Sequence, residues 1–143
     1  MTNTLNKDEF LTQEKTRLGK YYRTNKTKLT NFGTNANFTN WYLLQLSTNE
    51  YKCHYCQTSI FEIRSLLNHK IINGRNVRGG AWRGPNFELD RKDPNGLYTE
   101  ENCVLSCYFC NNDKSNTYSY PLYKNVIGPL RKQMWQNIKK SEQ

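Results

Sequence analysis

Two short cysteine turns constrain this chain more than anything else in it. Cys53-His54-Tyr55-Cys56 and Cys107-Tyr108-Phe109-Cys110 are both C-x-x-C, with residues 57–106 between them. A turn of that length aims two Sγ atoms at one point, and two such turns complete a closed tetrahedral thiolate site of the structural-zinc type. A closed site leaves no open coordination position, so the spacing predicts a zinc that pins both ends of the 57–106 segment and takes no part in chemistry. The alternatives are a disulfide pair or two unrelated buried turns. The N-terminal MTNTLNKDEF has no apolar h-region, and no long apolar run follows. The expected setting is therefore the cytoplasm, where thiols stay reduced, with no membrane partner. The fifth thiol, Cys103, reads as a small buried apolar residue. His54, inside the first turn, is a substitute ligand that four cysteines make unnecessary.

Charge points to a polyanionic partner. The 143 residues carry a formal net charge of +9, unevenly spread. No acid falls between Glu14 and Glu50, a stretch holding Lys15, Arg17, Lys20, Arg23, Lys26 and Lys28. None falls between Glu62 and Glu88, where Arg64, Lys70, Arg75, Arg78 and Arg83 occur. Tyrosine and tryptophan are interleaved with both stretches, a pattern that suits a phosphate backbone. A solvated basic surface is the plainer reading. Only 36% of the residues are hydrophobic, a thin core for one compact domain that a structural metal would supplement.

Periodicity predicts a short helix over 8–22, a polar loop or linker over 24–37, and a helix capped by Thr39 that carries Trp41, Leu43, Leu44 and Leu46. Ser59 followed by Glu62 is a capping box opening a helix over Ile60–His69. Residues 73–86 hold four glycines and a proline and read as an irregular basic loop, in which Arg75, Arg78, Trp82 and Arg83 are the candidate DNA contacts. Phe87–Arg91 alternates like a strand, Asp93-Pro94-Asn95-Gly96 is a turn, and Val104–Ser106 is a second strand. A helix starts over Asn111–Thr117. A mostly helical tail follows Pro121, with a kink or restart at Gly128-Pro129. Trp41 and Trp135 read as core anchors. Residues 1–37 form a basic N-terminal segment, a candidate DNA-contacting arm, and 38–143 a zinc-stapled domain.

The segment between the knuckles runs Phe87-Glu88-Leu89-Asp90-Arg91-Lys92-Asp93-Pro94-Asn95-Gly96-Leu97-Tyr98-Thr99-Glu100-Glu101-Asn102-Cys103-Val104-Leu105-Ser106-Cys107 and continues to Asn111 and Lys114. This resembles the HNH, or ββα-metal, endonuclease superfamily, in the branch with an L-D-R-x-D strand and a C-x-x-C-N-x-x-K helix found in phage, mobile-element and restriction nucleases. The resemblance is specific over 87–115, weaker back to Cys53 and forward to Trp135, and does not cover 1–35. It implies an α+β fold, a small ββα-metal core with flanking helices, and a DNA endonuclease using Mg²⁺ or Mn²⁺. It implies Asp90 and Asn111 as ligands of that metal, Asn102 as the residue tying the loop across the strands, and Lys114 as a basic group near the scissile phosphate.

Arg91 departs from the pattern, because many HNH enzymes have the general-base histidine there. A guanidinium stays protonated and only donates, so its natural task is to neutralise phosphate. Candidates for the base are His69, an Asp93-ordered water and a metal-bound hydroxide. A further concern is that Asp90 and Arg91 point to opposite faces of a regular strand unless it ends or twists there. Without the family the chemistry still holds together: Mg²⁺ takes few, oxygen-only ligands, which Asp90 and the amide oxygen of Asn111 supply. Glu88, on Asp90's face, is a weaker third ligand. Two competing readings remain, a catalytically silent zinc-stapled nucleic-acid-binding module and a purely structural zinc protein. If the target is palindromic, as for a restriction enzyme, a symmetric homodimer follows.

Overall fold

A computed structural model describes residues 6–77 and 82–141. The chain enters through α1 (Lys7–Thr24), capped by Asn6, whose side chain accepts from the Glu9 amide at 2.8 Å. Asp8 and Glu9 in the first turn suit the positive end of the helix dipole. Phe10, Glu14, Leu18 and Tyr22 are its buried residues, spaced by four and so on one face. That face packs against α2 (Asn35–Thr48).

The segment expected to be a loop over 24–37 is ordered structure. It contains a 3₁₀ turn, Thr30–Phe32, and the start of α2, which is capped by Thr34 rather than Thr39. The Thr34 side chain accepts from the Asn37 amide, and Thr39 instead lies inside the helix. Leu29, Phe32 and Phe38 are buried in the same core cluster as Leu46 and Ile63, so hydrophobic packing is continuous across residue 37. Phe32 meets Trp41 at 4.9 Å and Phe38 at 5.2 Å between ring centroids. Large aromatics thus supply apolar area in a chain with few aliphatics.

After the first knuckle, α3 (Ile60–Asn68) begins at Ser59, which accepts from the Glu62 amide at 3.1 Å, and ends at His69. Within 73–86, expected to be an irregular loop, β1 (Arg75–Asn76) pairs antiparallel with β2 (Trp82–Arg83) as a short hairpin ladder. A methyl group on Gly74 would sit 2.2 Å from the Arg83 carbonyl oxygen and 2.4 Å from Trp82 Nε1, so only glycine allows this approach. Arg78 lies outside the described residues.

The ββα unit follows. β3 (Glu88–Arg91) pairs antiparallel with β4 (Cys103–Ser106), placing Leu89 opposite Leu105 and Asp90 opposite Val104. The helix α4 (Tyr108–Lys114) starts three residues earlier than the Asn111 start read from sequence, because Cys107 itself caps it. The expected α+β, ββα core with flanking helices is the observed architecture.

The tail is α5 (Tyr120–Leu122), a π-helical segment Tyr123–Ile127, and α6 (Gly128–Ser141). The break expected at Gly128-Pro129 takes the form of that π segment running into α6. The wide π turn lets Gly128 press on the first knuckle, where an added Cβ would lie 2.4 Å from the Tyr55 carbonyl oxygen. Trp135 is buried edge-on to Phe109 at 5.4 Å, and Trp41 is buried too. No helix among the described residues is long and apolar enough to cross a membrane. Replacing Gly128 with alanine should force α6 off the knuckle and cost about 1–3 kcal/mol, read as a lower urea midpoint with an unchanged slope.

Candidate functional site

All four knuckle cysteines are buried and unbridged, and their Sγ atoms lie within 4.8 Å of one another. Cys56 and Cys107 are 3.9 Å apart. Four sulfurs at about 2.3 Å from a tetrahedral zinc would be about 3.8 Å apart, so the cluster has the dimensions of that site. Backbone amides serve the sulfurs: Tyr55 and Cys107 donate to Cys53 Sγ at 3.4 and 3.3 Å, and Cys110 donates to Cys107 Sγ at 3.4 Å. Burial pushes the Cys107 thiol up, while hydrogen bonding from Cys107 draws Cys56 down. The first knuckle docks on the sheet through the His54 amide, which donates to Leu105 O at 3.0 Å. His54's ring is turned away, stacked on Tyr120 with Nε2 at 2.9 Å from its hydroxyl. Burial, with Lys124 and Lys92 nearby, lowers its pKa to about 4, so this histidine is neutral.

Above the cysteines, α4 crosses β3. Its residues Asn111 and Lys114, one turn apart, meet Glu88 and Asp90, two apart on one strand face. Asn111 Nδ2 donates to Glu88 Oε1 at 2.9 Å, and Lys114 Nζ lies 3.3 Å from Asp90 Oδ2 and 3.1 Å from the Arg91 carbonyl oxygen. Donation through Nδ2 leaves Asn111 Oδ1 as its acceptor. Asp90 and Asn111 line one cavity of about 260 Å³ together with Arg83, Arg91 and Tyr98. Asp90 and Arg91 both line this cavity although they are neighbours within β3. Lys114 is only 1% exposed, its ammonium held by Asp90 and a carbonyl, so it positions the carboxylate and does not face solvent as a phosphate contact would.

Asn102 ties the 92–102 loop to itself. Its Oδ1 accepts from the Asp93 amide at 3.0 Å, and its Nδ2 donates to the carbonyls of Asp93 and Leu97 at 3.1 and 3.0 Å. Asp93 caps the turn by accepting from the Asn95 amide at 2.9 Å. Arg91 donates to Gly96 O at 3.1 Å and stacks on Tyr98 with 4.6 Å to the ring centroid.

Two expected groupings do not form. His69 is the exposed C-cap of α3, with Nδ1 2.7 Å from Ser65 O, and is absent from the cavity lining. Its imidazole suited base chemistry, but its place was set by where the helix ends. Arg83 is not a free DNA contact: it forms a two-point salt bridge to Glu88 at 2.9 and 2.5 Å and stacks on Tyr108. Arg75 and Trp82 are exposed on the hairpin.

Sequence reasoning missed Tyr55. Read as a spacer between two ligands, it donates its hydroxyl to Asp90 Oδ2. The phenol pKa is raised by burial and then by the Asp90 bond and charge, so the proton stays on oxygen. Burial raises the Asp90 pKa against the opposing pull of Tyr55 and Lys114.

A four-sulfur cluster under an antiparallel strand pair and a crossing helix is the ββα-metal, or HNH, class of fold in its two-C-x-x-C form. Among solved structures, the chain is similar to that of the rare-cutting HNH restriction endonuclease PacI. The likeness has a TM-score of 0.62 at 28% sequence identity and covers 89% of this chain and 80% of that one. No protein-family model and no curated protein matches the chain.

Replacing Lys114 with methionine leaves the Asp90 carboxylate buried without its cation and should cost about 3–5 kcal/mol near neutral pH. A carboxyl whose pKa is higher folded than unfolded binds a proton on folding, so part of that loss should return as pH falls towards the Asp90 pKa. Urea denaturation at neutral and mildly acidic pH, wild type against variant, checks both the size and the sign.

Proposed function

We propose that the protein is a metal-dependent DNA endonuclease of the restriction type that hydrolyses phosphodiester bonds, with a structural zinc on Cys53, Cys56, Cys107 and Cys110. The observation that carries this reading is the convergence of Asp90 and Asn111 on one cavity beside Arg91. A carboxylate and an amide oxygen are the sparse, hard donor set that Mg²⁺ or Mn²⁺ accepts while keeping its waters. Such an ion would supply charge stabilisation at the non-bridging and leaving oxygens.

The chain's own residues do the rest. Tyr55 and Lys114 both hold Asp90 Oδ2, which leaves Oδ1 as the oxygen an ion would take. Arg91, aimed by the Tyr98 ring and the Gly96 carbonyl, meets the charge that builds on the phosphate in the transition state. Asn102 locks the turn that carries both of these groups. Arg91 is unable to accept a proton and His69 lies outside the cavity lining, so neither is the base in this reading. The likeness to a restriction endonuclease supports duplex DNA as substrate. A palindromic target would pair two copies about a two-fold axis.

The reading predicts that the zinc-loaded protein cuts plasmid DNA when Mg²⁺ or Mn²⁺ is added and that Asp90→Ala does not. Arg91→Lys should lose roughly 10²–10³-fold in rate, because a point charge does not replace a planar fork. Tyr55→Phe should lower the rate without changing zinc content. A gel shift with no cleavage under any metal would favour the silent binding module. Elemental analysis should find one zinc per chain, lost together with the cooperative unfolding transition in Cys107→Ser.

A further inference from the structure

A second, larger cavity of about 470 Å³ adjoins the Asp90 cavity and shares Arg83, Leu89, Tyr98 and Asn111 with it. Its other walls come from parts of the chain outside the ββα unit: Arg17 and Tyr21 on α1, Lys28 in the turn after it, and Trp82 on the hairpin rim. Its volume lies in the range of pockets that hold small organic ligands, roughly 300–1,000 Å³. Two tyrosine rings face a common slot, because the Lys28 ammonium sits 4.7 Å from the Tyr98 centroid and 5.6 Å from the Tyr21 centroid. Trp82 is 48% exposed, with its indole nitrogen against Gly74.

The cations around the slot are unequal. Arg17 is held by Glu14 at 2.6 Å and Arg83 by Glu88 at 2.5 Å. Lys28 has no carboxylate partner among the described residues and is held only by the two π faces. It therefore fills the slot with a flexible side chain that a flat ring could displace, and its ammonium can swing outward to a phosphate.

We propose that this cavity binds a nucleobase unstacked from the DNA strand next to the scissile phosphate, with the base on Tyr98 and Tyr21 and its phosphate on Lys28. The proposal rests on the nuclease reading for the adjoining cavity. Ring stacking accepts any base face, and a cation at the rim tracks the backbone, so the chemistry is that of single-strand recognition placed beside a cutting site. The N-terminal helix thereby becomes a wall of the substrate site.

The test compares two probes of equal phosphate count, a single-stranded oligothymidylate and an abasic oligomer of the same length, bound to the zinc-loaded full chain without added Mg²⁺. Trp82 emission, isolated as the difference from Trp82→Phe, should be quenched by oligothymidylate. That probe should bind about tenfold or more tightly than the abasic one. Tyr98→Leu and Tyr21→Leu should abolish the preference. Lys28→Ala should keep it and lower the salt slope of binding by about one. Variants are compared at matched zinc content and melting temperature, and Tyr98→Leu decides if Tyr21→Leu, which also packs on Phe38, does not fold. Equal binding of the two probes, or a preference that survives Tyr98→Leu, overturns the proposal. A base preference in a protein that cuts no plasmid would retain the pocket and reject the nuclease reading, and cleavage with no base preference would do the reverse.

Discussion

Four buried sulfurs within 4.8 Å of one another are unfavourable unless a cation neutralises them, and the rest of the structure is arranged around that condition. Several groups of the candidate site lie close to a sulfur along the chain. Tyr55 lies inside the first knuckle, Asn111 follows Cys110, and β4 runs into Cys107, which caps the helix carrying Asn111 and Lys114. A thiolate at a helix N-terminus also meets the positive end of the helix dipole. A metal bound by the sulfurs would therefore set the register of the donors proposed to hold the other.

Charge near the core is mostly handled by pairing. Glu14 meets Arg17, Glu88 meets Arg83, Asp90 meets Lys114, and Asp113 meets Arg131. Each pair offsets a desolvation cost that neither partner could bear alone. Arg91 and Lys28 break the rule: both stack on Tyr98, from which a guanidinium or ammonium gains attraction without losing its net charge. Two cations without a carboxylate partner among the described residues thus stand where the two cavities join, and an incoming phosphate would find counter-charge there.

What could be read from sequence was what local chemistry decides. The two C-x-x-C turns, the Ser59 cap, the Phe87–Arg91 alternation and the Asn102 turn lock all act over a few residues, and their partners are near in the chain. Residues 24–37 read as a polar loop because their Asn and Thr hide Leu29 and Phe32, which are buried in the core. The 73–86 hairpin was invisible because its strands are two residues each and closed by glycine contacts rather than by an apolar pattern. Arg83 looked free because nothing in the spacing shows that the hairpin folds it back onto Glu88. Tyr55 was missed because its partner, Asp90, is distant in sequence and only the cysteine cluster brings them together.

An arginine next to the candidate metal-binding carboxylate separates two tasks that a histidine in that place would combine. A histidine can both orient near the phosphate and take a proton; a guanidinium can only stabilise charge. That division requires Arg91 to face the same cavity as Asp90, although adjacent strand residues alternate sides. Arg91 is itself paired with Cys103 in β3, so its long side chain, lying on Tyr98, is what reaches the cavity. The Asp93–Gly96 turn begins at once after the strand, and Asn102 clamps it with three hydrogen bonds. Gly96 in turn supplies the carbonyl that Arg91 holds, and Tyr98 the ring it lies on. The turn therefore belongs to the site as much as the strand does: it and the residues after it supply the carbonyl and the ring that hold the guanidinium beside the cavity lined by Asp90.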